Sequence, residues 1–111
     1  MVLARRERYG IIAAMQINKK LENGTLSVSI TGRLDTTTAP QLLDELACDG
    51  VTEIAFDLAG LDYISSAGIR VFLTAQKRMS ACNGKMTIAN PNSMVKSVFD
   101  ITGCSDIFTI L

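Results

Sequence analysis

Apolar and polar residues alternate along two neighbouring stretches near the start of the chain. Residues 25–31 place Leu, Val and Ile between Thr and Ser residues, which is the period of a strand with one buried face and one face in water. Residues 16–21 alternate more weakly, and Glu22-Asn23-Gly24 separates the two stretches. Because Asn-Gly readily takes the positive φ that a tight turn needs, the pattern predicts a β-hairpin.

Three later segments carry apolar residues at the spacing of amphipathic helices. Apolar residues recur three and four positions apart in each segment, and charged residues such as Arg70 and Lys77 lie between them. The first predicted helix begins near Ala39-Pro40, with Thr38 as N-cap, and ends at Gly50. The second runs from about Ser66 to Ala81 and is stopped by Asn83-Gly84. The third begins at an Asn92 or Ser93 cap and ends at Gly103.

Predicted strands separate these helices. Residues 51–58 form a nearly continuous apolar run, typical of a strand covered on both faces, and residues 85–90 and 106–111 are predicted to form two more strands. The order β-β-α-β-α-β-α-β predicts an α/β fold, with one mixed sheet of four or five strands and helices packed against it. Functional groups in such folds gather beyond the carboxyl ends of the strands. We therefore expect the loop at 32–38 and the loop before Ser66 to share one surface.

Length and composition indicate one domain. The chain has 111 residues, 48% of them hydrophobic, enough for a core without disulfide or metal staples. We expect the domain to cover residues 15–111, with residues 1–14 as an extension outside the fold. The short apolar run at 11–14, after Arg5-Arg6-Glu7-Arg8, is too short for a signal peptide. No apolar run reaches about 18 residues, so no membrane insertion is expected.

Charge and residue types exclude several kinds of chemistry. Eleven basic residues balance eleven acidic ones, so a nucleic-acid partner is not expected. Histidine is absent, which removes the most frequent general base and metal ligand. We predict no metal, no cofactor and no enzymatic activity. The cysteines Cys48, Cys82 and Cys104 have no CxxC spacing and indicate free thiols in a reducing cytoplasm.

Ser65-Ser66-Ala67-Gly68 is the most informative short segment. It follows the apolar strand and opens the second helix, which puts a serine hydroxyl at a helix N-terminus. Backbone N–H groups there lack partners and carry partial positive charge, so a phosphate on that hydroxyl, or one brought by a ligand, would be well received. The ordinary role of a serine at this place is the N-cap, and the two roles can coexist.

Two segments match motifs of a known family. Residues 32–39, Gly-Arg-Leu-Asp-Thr-Thr-Thr-Ala, resemble an element of the form Gly-x-Leu-Asp-x-x-Thr-Ala. Residues 57–68, Asp-Leu-Ala-Gly-Leu-Asp-Tyr-Ile-Ser-Ser-Ala-Gly, resemble a phosphorylation-site element. Together with similar stretches at 84–90 and 98–103, they make the chain from about Met15 to Leu111 similar to the STAS domain, specifically the single-domain bacterial anti-sigma-factor antagonists.

The resemblance implies partner switching. In that family the unmodified antagonist binds an anti-sigma factor, which is also a serine-protein kinase, and so frees the sigma factor. Phosphorylation of one serine or threonine breaks the complex, and a phosphatase resets it. Ser66 matches the phosphoacceptor by position. Ser65, which stands where many members have an acid, is the second choice, and Ala67 stands where a second hydroxyl residue is often found.

The residues around Ser66 are candidates for a partner-binding surface. Tyr63 and Arg70 flank Ser66, although such residues are more often plain solvated surface, and Leu61 and Ile64 are expected to give the surface an apolar rim. The candidate partner-binding residues are Asp35, Thr37, Thr38, Tyr63, Ile64, Ser65, Gly68 and Arg70.

Several of these residues also have a purely structural interpretation. Asp35 can form an Asx-turn with the threonines that follow it, and Thr37 and Thr38 can cap the first helix. Gly68 can let the second helix pack closely on the sheet. Asp57 is expected to hold the loop at 59–65 through backbone N–H groups.

Two other interpretations remain open. Asp35, Asp57 and Asp62 could cluster as in a small phosphate-binding or receiver-like enzyme domain, although no Gly-rich nucleotide loop or nucleophile–base pair is visible. The chain could instead be a scaffold or sensor STAS module of a larger stress-signalling or transporter-linked assembly. Phosphorylation that depends on Asp57 rather than Ser66 would indicate the first, and retention in large multimeric assemblies the second.

Overall fold

One mixed sheet organises the domain. A computed structural model describes residues 15–46 and 50–111. Its strands are β1 (Met15–Glu22), β2 (Thr25–Leu34), β3 (Glu53–Ile64), β4 (Lys85–Ala89) and β5 (Thr109–Ile110). They lie side by side in chain order, with β1 antiparallel to β2 and the remaining neighbours parallel.

Helices connect the parallel strands. They are α1 (Ala39–Glu45), α2 (Ser66–Ala81) and α3 (Ser93–Ile101), and a 3-10 turn, Cys104–Asp106, follows α3. Each connection advances one strand in the same direction, and connections of this kind are right-handed, so the three helices cover one face of the sheet. The predicted element order is confirmed. Among the described residues, no helix combines the length and apolarity needed to cross a bilayer.

The core lies between that sheet face and the helices. Phe56 of β3 meets Phe72 of α2 edge to face, with ring centroids 4.8 Å apart. Phe99 of α3 and Phe108 make a similar pair at 5.5 Å. Such aromatic pairs stabilise beyond the area they bury. Phe72 of α2 contacts Phe56, Phe99 and Phe108, and these contacts hold α2 against the sheet and set where its first turn lies.

The predicted hairpin and its one-sided burial are confirmed. Asn23 and Gly24 have φ of 51° and 83°, the positive values of a two-residue hairpin turn. Leu26, Val28 and Ile30 are buried, and the Thr and Ser residues between them lie on the opposite face of the sheet.

The predicted boundary of the third strand is wrong. The sequence predicts a loop at 59–65, but residues 59–64 continue β3 because β2 extends beside them as far as Leu34. Leu34 pairs with Ile64. The register shifts between Ser29 and Thr31, and again between Gly32 and Arg33, and these irregularities let a longer β3 run beside β2.

The expectation that β3 is covered on both faces is also wrong. Ile54 and Phe56 are buried, whereas Ala55 and Asp57 are half-buried on the opposite face. Ala55 and Asp57 there line a shallow depression of about 280 Å³ together with serines of β2. The large apolar side chains of the run are thus buried on one face, and Ala55 is the apolar residue on the other.

Three smaller predictions need correction or lie outside the described residues. Helix α1 ends at Glu45, with the N–H of Leu46 donating to the Leu43 carbonyl at 3.2 Å, so Gly50 does not end it. The last strand is only Thr109–Ile110, because the 3-10 turn occupies the chain before it. Cys82 and Cys104 are free thiols; the predictions on Cys48 and on residues 1–14 fall outside the described residues.

Candidate functional site

The carboxyl ends of β2 and β3 bring the two motif segments together. Beyond the Leu34–Ile64 pair, the backbone N–H of Ser65 donates to the Leu34 carbonyl at 2.9 Å. From this point β2 turns through Asp35 into α1, and β3 passes directly into α2. The shared surface expected from the strand order is therefore present.

Asp35 organises the turn between β2 and α1. Its Oδ1 accepts hydrogen bonds from the hydroxyl of Thr37 at 2.8 Å and from the backbone N–H of Thr37 at 3.0 Å, and the Thr38 N–H lies at 3.3 Å. The Thr37 hydroxyl, aided by the N–H groups of Thr37 and Thr38, holds the pKa of Asp35 below its usual value. The Asx-turn alternative is confirmed, and the carboxylate is charged at neutral pH.

Thr38 occupies the predicted N-cap position of α1, but its side chain forms its hydrogen bonds within this turn. Its side chain makes no capping bond to α1. Its Oγ1 donates to the Arg33 carbonyl and accepts the N–H of Asp35, both at 2.9 Å. The predicted capping role for the Thr38 side chain is therefore wrong, because the hydroxyl is already engaged by the end of β2.

The two serines at the start of α2 have different environments. Ser66 is the first residue of α2 and is exposed. Ser65 occupies the N-cap position with extended backbone, but its side chain makes no capping bond. Its Oγ is buried and has no partner among the described residues. One hydroxyl is thus open to solvent and the other is shielded, which sequence alone could not decide.

Gly68 holds the first turn of α2 against the strand ends. A Cβ at this position would lie 2.7 Å from Leu34 Cγ and 2.8 Å from Ile64 Cγ1, closer than side chains can approach. The close packing expected for Gly68 is confirmed. It fixes the position of Ser66 relative to both strands.

Arg33 is a site residue that the sequence analysis did not select. Its guanidinium lies 4.3 Å from the ring centroid of Tyr63, and its Nε is 3.7 Å from Asp35 Oδ2. Arg33 on β2 and Tyr63 on β3 are cross-strand partners, and the stacking of the guanidinium on the ring is a cation–π contact. The arrangement fixes a positive charge and an aromatic ring beside the Asp35 turn.

A groove between α1 and α2 opens next to Ser66. Its volume is about 310 Å³. The lining residues are Thr36, Ala39, Pro40, Leu43, Ala67, Arg70, Val71 and Thr74. Most of this lining is aliphatic, and Arg70 is the only charged side chain among the described residues that form it. The spacing of Ala67, Val71 and Thr74 along α2 is the one sequence signal that could have indicated this face.

Burial removes three candidates from direct contact with a partner. Thr38, Ile64 and Gly68 are all buried, and the expected apolar rim is wrong because Leu61 and Ile64 are only 1% and 3% exposed. Both belong to the core, and since they are three positions apart, it is the register shift between Gly32 and Arg33 that lets both face inward. The exposed or half-buried candidates are Asp35, Thr37, Tyr63, Ser65, Ser66 and Arg70, and their contacts with a partner stay predictions.

Asp57 has a structural role. Its Oδ1 accepts the N–H of Ala59 at 3.0 Å and Nδ2 of Asn90 at 3.1 Å, so it ties the irregular part of β3 to the end of β4. Within residues 15–46 and 50–111, no group of three or more acidic or cysteine side chains is placed to hold a metal ion. Asp35, Asp57 and Asp62 therefore do not form the cluster that a receiver-like site would need.

Comparison with known proteins gives a consistent family. The STAS domain model matches residues 16–111. BtrV of Bordetella bronchiseptica, provisionally named an anti-sigma factor antagonist, is 33% identical over 99 residues, which cover 86% of this chain and 85% of BtrV. The anti-sigma-B factor antagonist of Bacillus subtilis is 26% identical, over 86% of this chain and 90% of its own.

The fold also matches a solved antagonist. The Bacillus protein SpoIIAA in its phosphorylated form superimposes with a TM-score of 0.69 at 20% identity, covering 88% of this chain and 91% of its own. The same protein in its unphosphorylated form gives the same TM-score. The resemblance recognised from residues 32–39 and 57–68 is confirmed.

Proposed function

Since the chain belongs to the STAS domain family, we propose that it is an anti-sigma-factor antagonist that works by partner switching. The unmodified protein binds an anti-sigma factor that is also a serine-protein kinase, and the sigma factor is released. Phosphorylation of Ser66 breaks the complex, and a phosphoserine phosphatase restores it. The names of BtrV and of the Bacillus subtilis relative support this role.

The accessibility of Ser66 carries the assignment of the modified residue. Ser66 is exposed at the first position of α2, where unpaired backbone N–H groups favour a negative charge. The neighbouring Ser65 Oγ is buried, so a kinase would have to displace packed atoms to reach it. These two environments support Ser66 over Ser65.

The chemistry of the switch needs no rearrangement of the fold. The kinase transfers the γ-phosphoryl group of ATP to Ser66 Oγ: a P–O bond to serine forms, the bond to the bridging oxygen of ADP breaks, and the hydroxyl proton is released. The product carries about −1.5 to −2 charge at neutral pH. A partner surface fitted to a neutral hydroxyl then meets repulsion and uncompensated desolvation, and each ~1.4 kcal/mol of that penalty lowers affinity tenfold.

In this proposal the antagonist is a substrate and a binding partner, and it catalyses nothing. Residues around Ser66, among them the exposed Thr37 and Arg70 and the half-buried Tyr63, form the surface that the anti-sigma factor contacts. The protein acts in the cytoplasm, where the sigma factor and its RNA polymerase are found.

The direct test uses the anti-sigma kinases encoded in the source genome, purified one at a time. Each is incubated with the protein and MgATP, and the modified residue is mapped by mass spectrometry. We expect one phosphate on Ser66 in the wild type and in Ser65→Ala, and none in Ser66→Ala. Ser66→Ala should bind the kinase within about twofold of the wild type, whereas Ser66→Asp should bind about tenfold or more weakly.

Other results would contradict the proposal in distinct ways. Phosphate on Ser65 would reassign the modified residue, and equal affinity of Ser66→Ala and Ser66→Asp would remove the switch. Binding to none of the kinases, together with recovery of the protein in a large multimeric assembly, would favour the scaffold interpretation.

A further inference from the structure

Arg70 lies between Ser66 and the α1–α2 groove. It follows Ser66 by four positions in α2, so the two side chains share one face of the helix. Helical side chains lean toward the N-terminus, which directs Arg70 toward Ser66. Arg70 also lines the groove. One guanidinium can therefore reach either a group on Ser66 or a ligand at the edge of the groove.

Among the described residues near Ser66, Arg70 is the cation whose charge is not already engaged by an acidic side chain or a ring. Arg33 is held by the Tyr63 ring and by Asp35. Further along α2, Arg78 donates from Nη1 to the Leu46 carbonyl at 3.2 Å. Within the part of the chain that the structure describes, Arg70 is exposed and forms no ion pair with an acidic side chain.

We propose that Arg70 couples the state of Ser66 to the groove; the inference rests on the function proposed above. In the unmodified protein, Arg70 pairs with a carboxylate of the anti-sigma factor while an apolar side chain of that partner enters the groove. A phosphate on Ser66 captures the guanidinium within the same helix. Acid at position i and base at i+4 is the favourable orientation, and arginine forms charge-assisted hydrogen bonds to phosphate. The partner then loses the cation it would pair with.

The capture of Arg70 can be tested without any partner. Phosphoserine is installed at position 66 during synthesis of the full chain, and the second pKa of the phosphate is measured by ³¹P NMR titration. A nearby cation favours the dianion, so Arg70→Gln should raise that pKa by about 0.3, the size expected for one exposed helix pair. In Arg70→Lys, which keeps the positive charge, the phosphate pKa should stay close to the wild-type value. Lys77→Gln, exposed on the same helix, removes an equal charge and should leave it unchanged.

Two results of that titration would overturn the inference. One is an unchanged pKa in Arg70→Gln, or a change no larger than that in Lys77→Gln. The other is a rise in Arg33→Gln that exceeds the rise in Arg70→Gln, which would assign the phosphate to the Tyr63 stack.

The proposed pairing of Arg70 with the anti-sigma factor is tested separately, on the unphosphorylated protein and the kinase that binds it. A charge at the edge of an interface acts mainly on association. We expect Arg70→Gln to lower the association rate about threefold and to flatten its salt dependence, with Lys77→Gln as the matched control. Equal rates for both variants would overturn the proposed pairing. If no kinase binds, the proposed function fails and the ³¹P titration alone decides the inference. If a kinase binds and phosphorylates Ser66 but Arg70→Gln leaves the phosphate pKa unchanged, only the inference fails.

Discussion

Ser65 and Asn92 occupy the same position at the starts of α2 and α3 but use their side chains differently. Asn92 Oδ1 accepts the N–H of Val95 at 2.8 Å, and its Nδ2 donates to the Leu61 carbonyl at 3.0 Å. Ser65 Oγ is buried without a partner among the described residues. Because a buried hydroxyl without a hydrogen bond costs free energy, the side chain of Ser65 is expected to contribute nothing to stability, whereas Asn92 does.

Alanine substitutions of Ser65 and Asn92 should therefore change the free energy of unfolding by different amounts or in opposite directions. Ser65→Ala removes an unpaired group from a site that accepts a methyl, so the free energy of unfolding should stay the same or rise by up to about 1 kcal/mol. Asn92→Ala removes a cap and should lower it by about 1–2 kcal/mol. Urea denaturation followed by circular dichroism measures both. A loss above about 1 kcal/mol in Ser65→Ala would mean that the hydroxyl does cap α2.

At the scale of elements, the contact of α2 with the strand ends depends on Gly68. Glycine to alanine inside a helix ordinarily raises stability by about 0.5–1 kcal/mol. Here the added Cβ would meet Leu34 and Ile64 at 2.7 and 2.8 Å. We expect Gly68→Ala to lower the free energy of unfolding by about 1–3 kcal/mol, measured by urea denaturation. A gain in stability would show that the first turn of α2 can move off the sheet.

The elements that sequence predicted well are those whose ends have a local cause. Helix α2 begins after Ser65 and ends before Asn83-Gly84 as predicted, because Asn83 adopts a left-handed φ of 58° that stops a helix. The end of β3 is different. It extends to Ile64 because β2 lies beside it, a long-range cause that no pattern within residues 51–64 contains.

The candidate site divides in the same way. Ser66 and the Asp35 turn follow from local sequence, since a helix start and an Asx-turn are each made within a few residues. The Arg33–Tyr63 stack depends on a register shift between β2 and β3, and the groove depends on how α1 lies against α2. Neither could be predicted before the packing was known.

At the scale of the whole molecule, the protein carries few groups that titrate near neutrality. It has no histidine, the side chain that ordinarily changes charge between pH 5 and 8. Among the described residues, two aspartates have a pKa that lies below its usual value. The Thr37 hydroxyl lowers the pKa of Asp35, and the Ser105 hydroxyl, followed by Lys96, lowers that of Asp100.

The stability of the domain should therefore respond to acid and not to changes around neutrality. A carboxylate with a depressed pKa in the folded state stabilises above its unfolded pKa of about 3.9, and that contribution is lost as pH falls through the folded pKa. The free energy of unfolding should be level between about pH 5 and 7.5 and fall below about pH 4. Urea denaturation across this range measures the profile, and Asp35→Asn combined with Asp100→Asn should flatten its acid side. A steep change centred near pH 6 would contradict this account, because the described carboxylates with a shifted pKa, Asp35 and Asp100, both have it lowered.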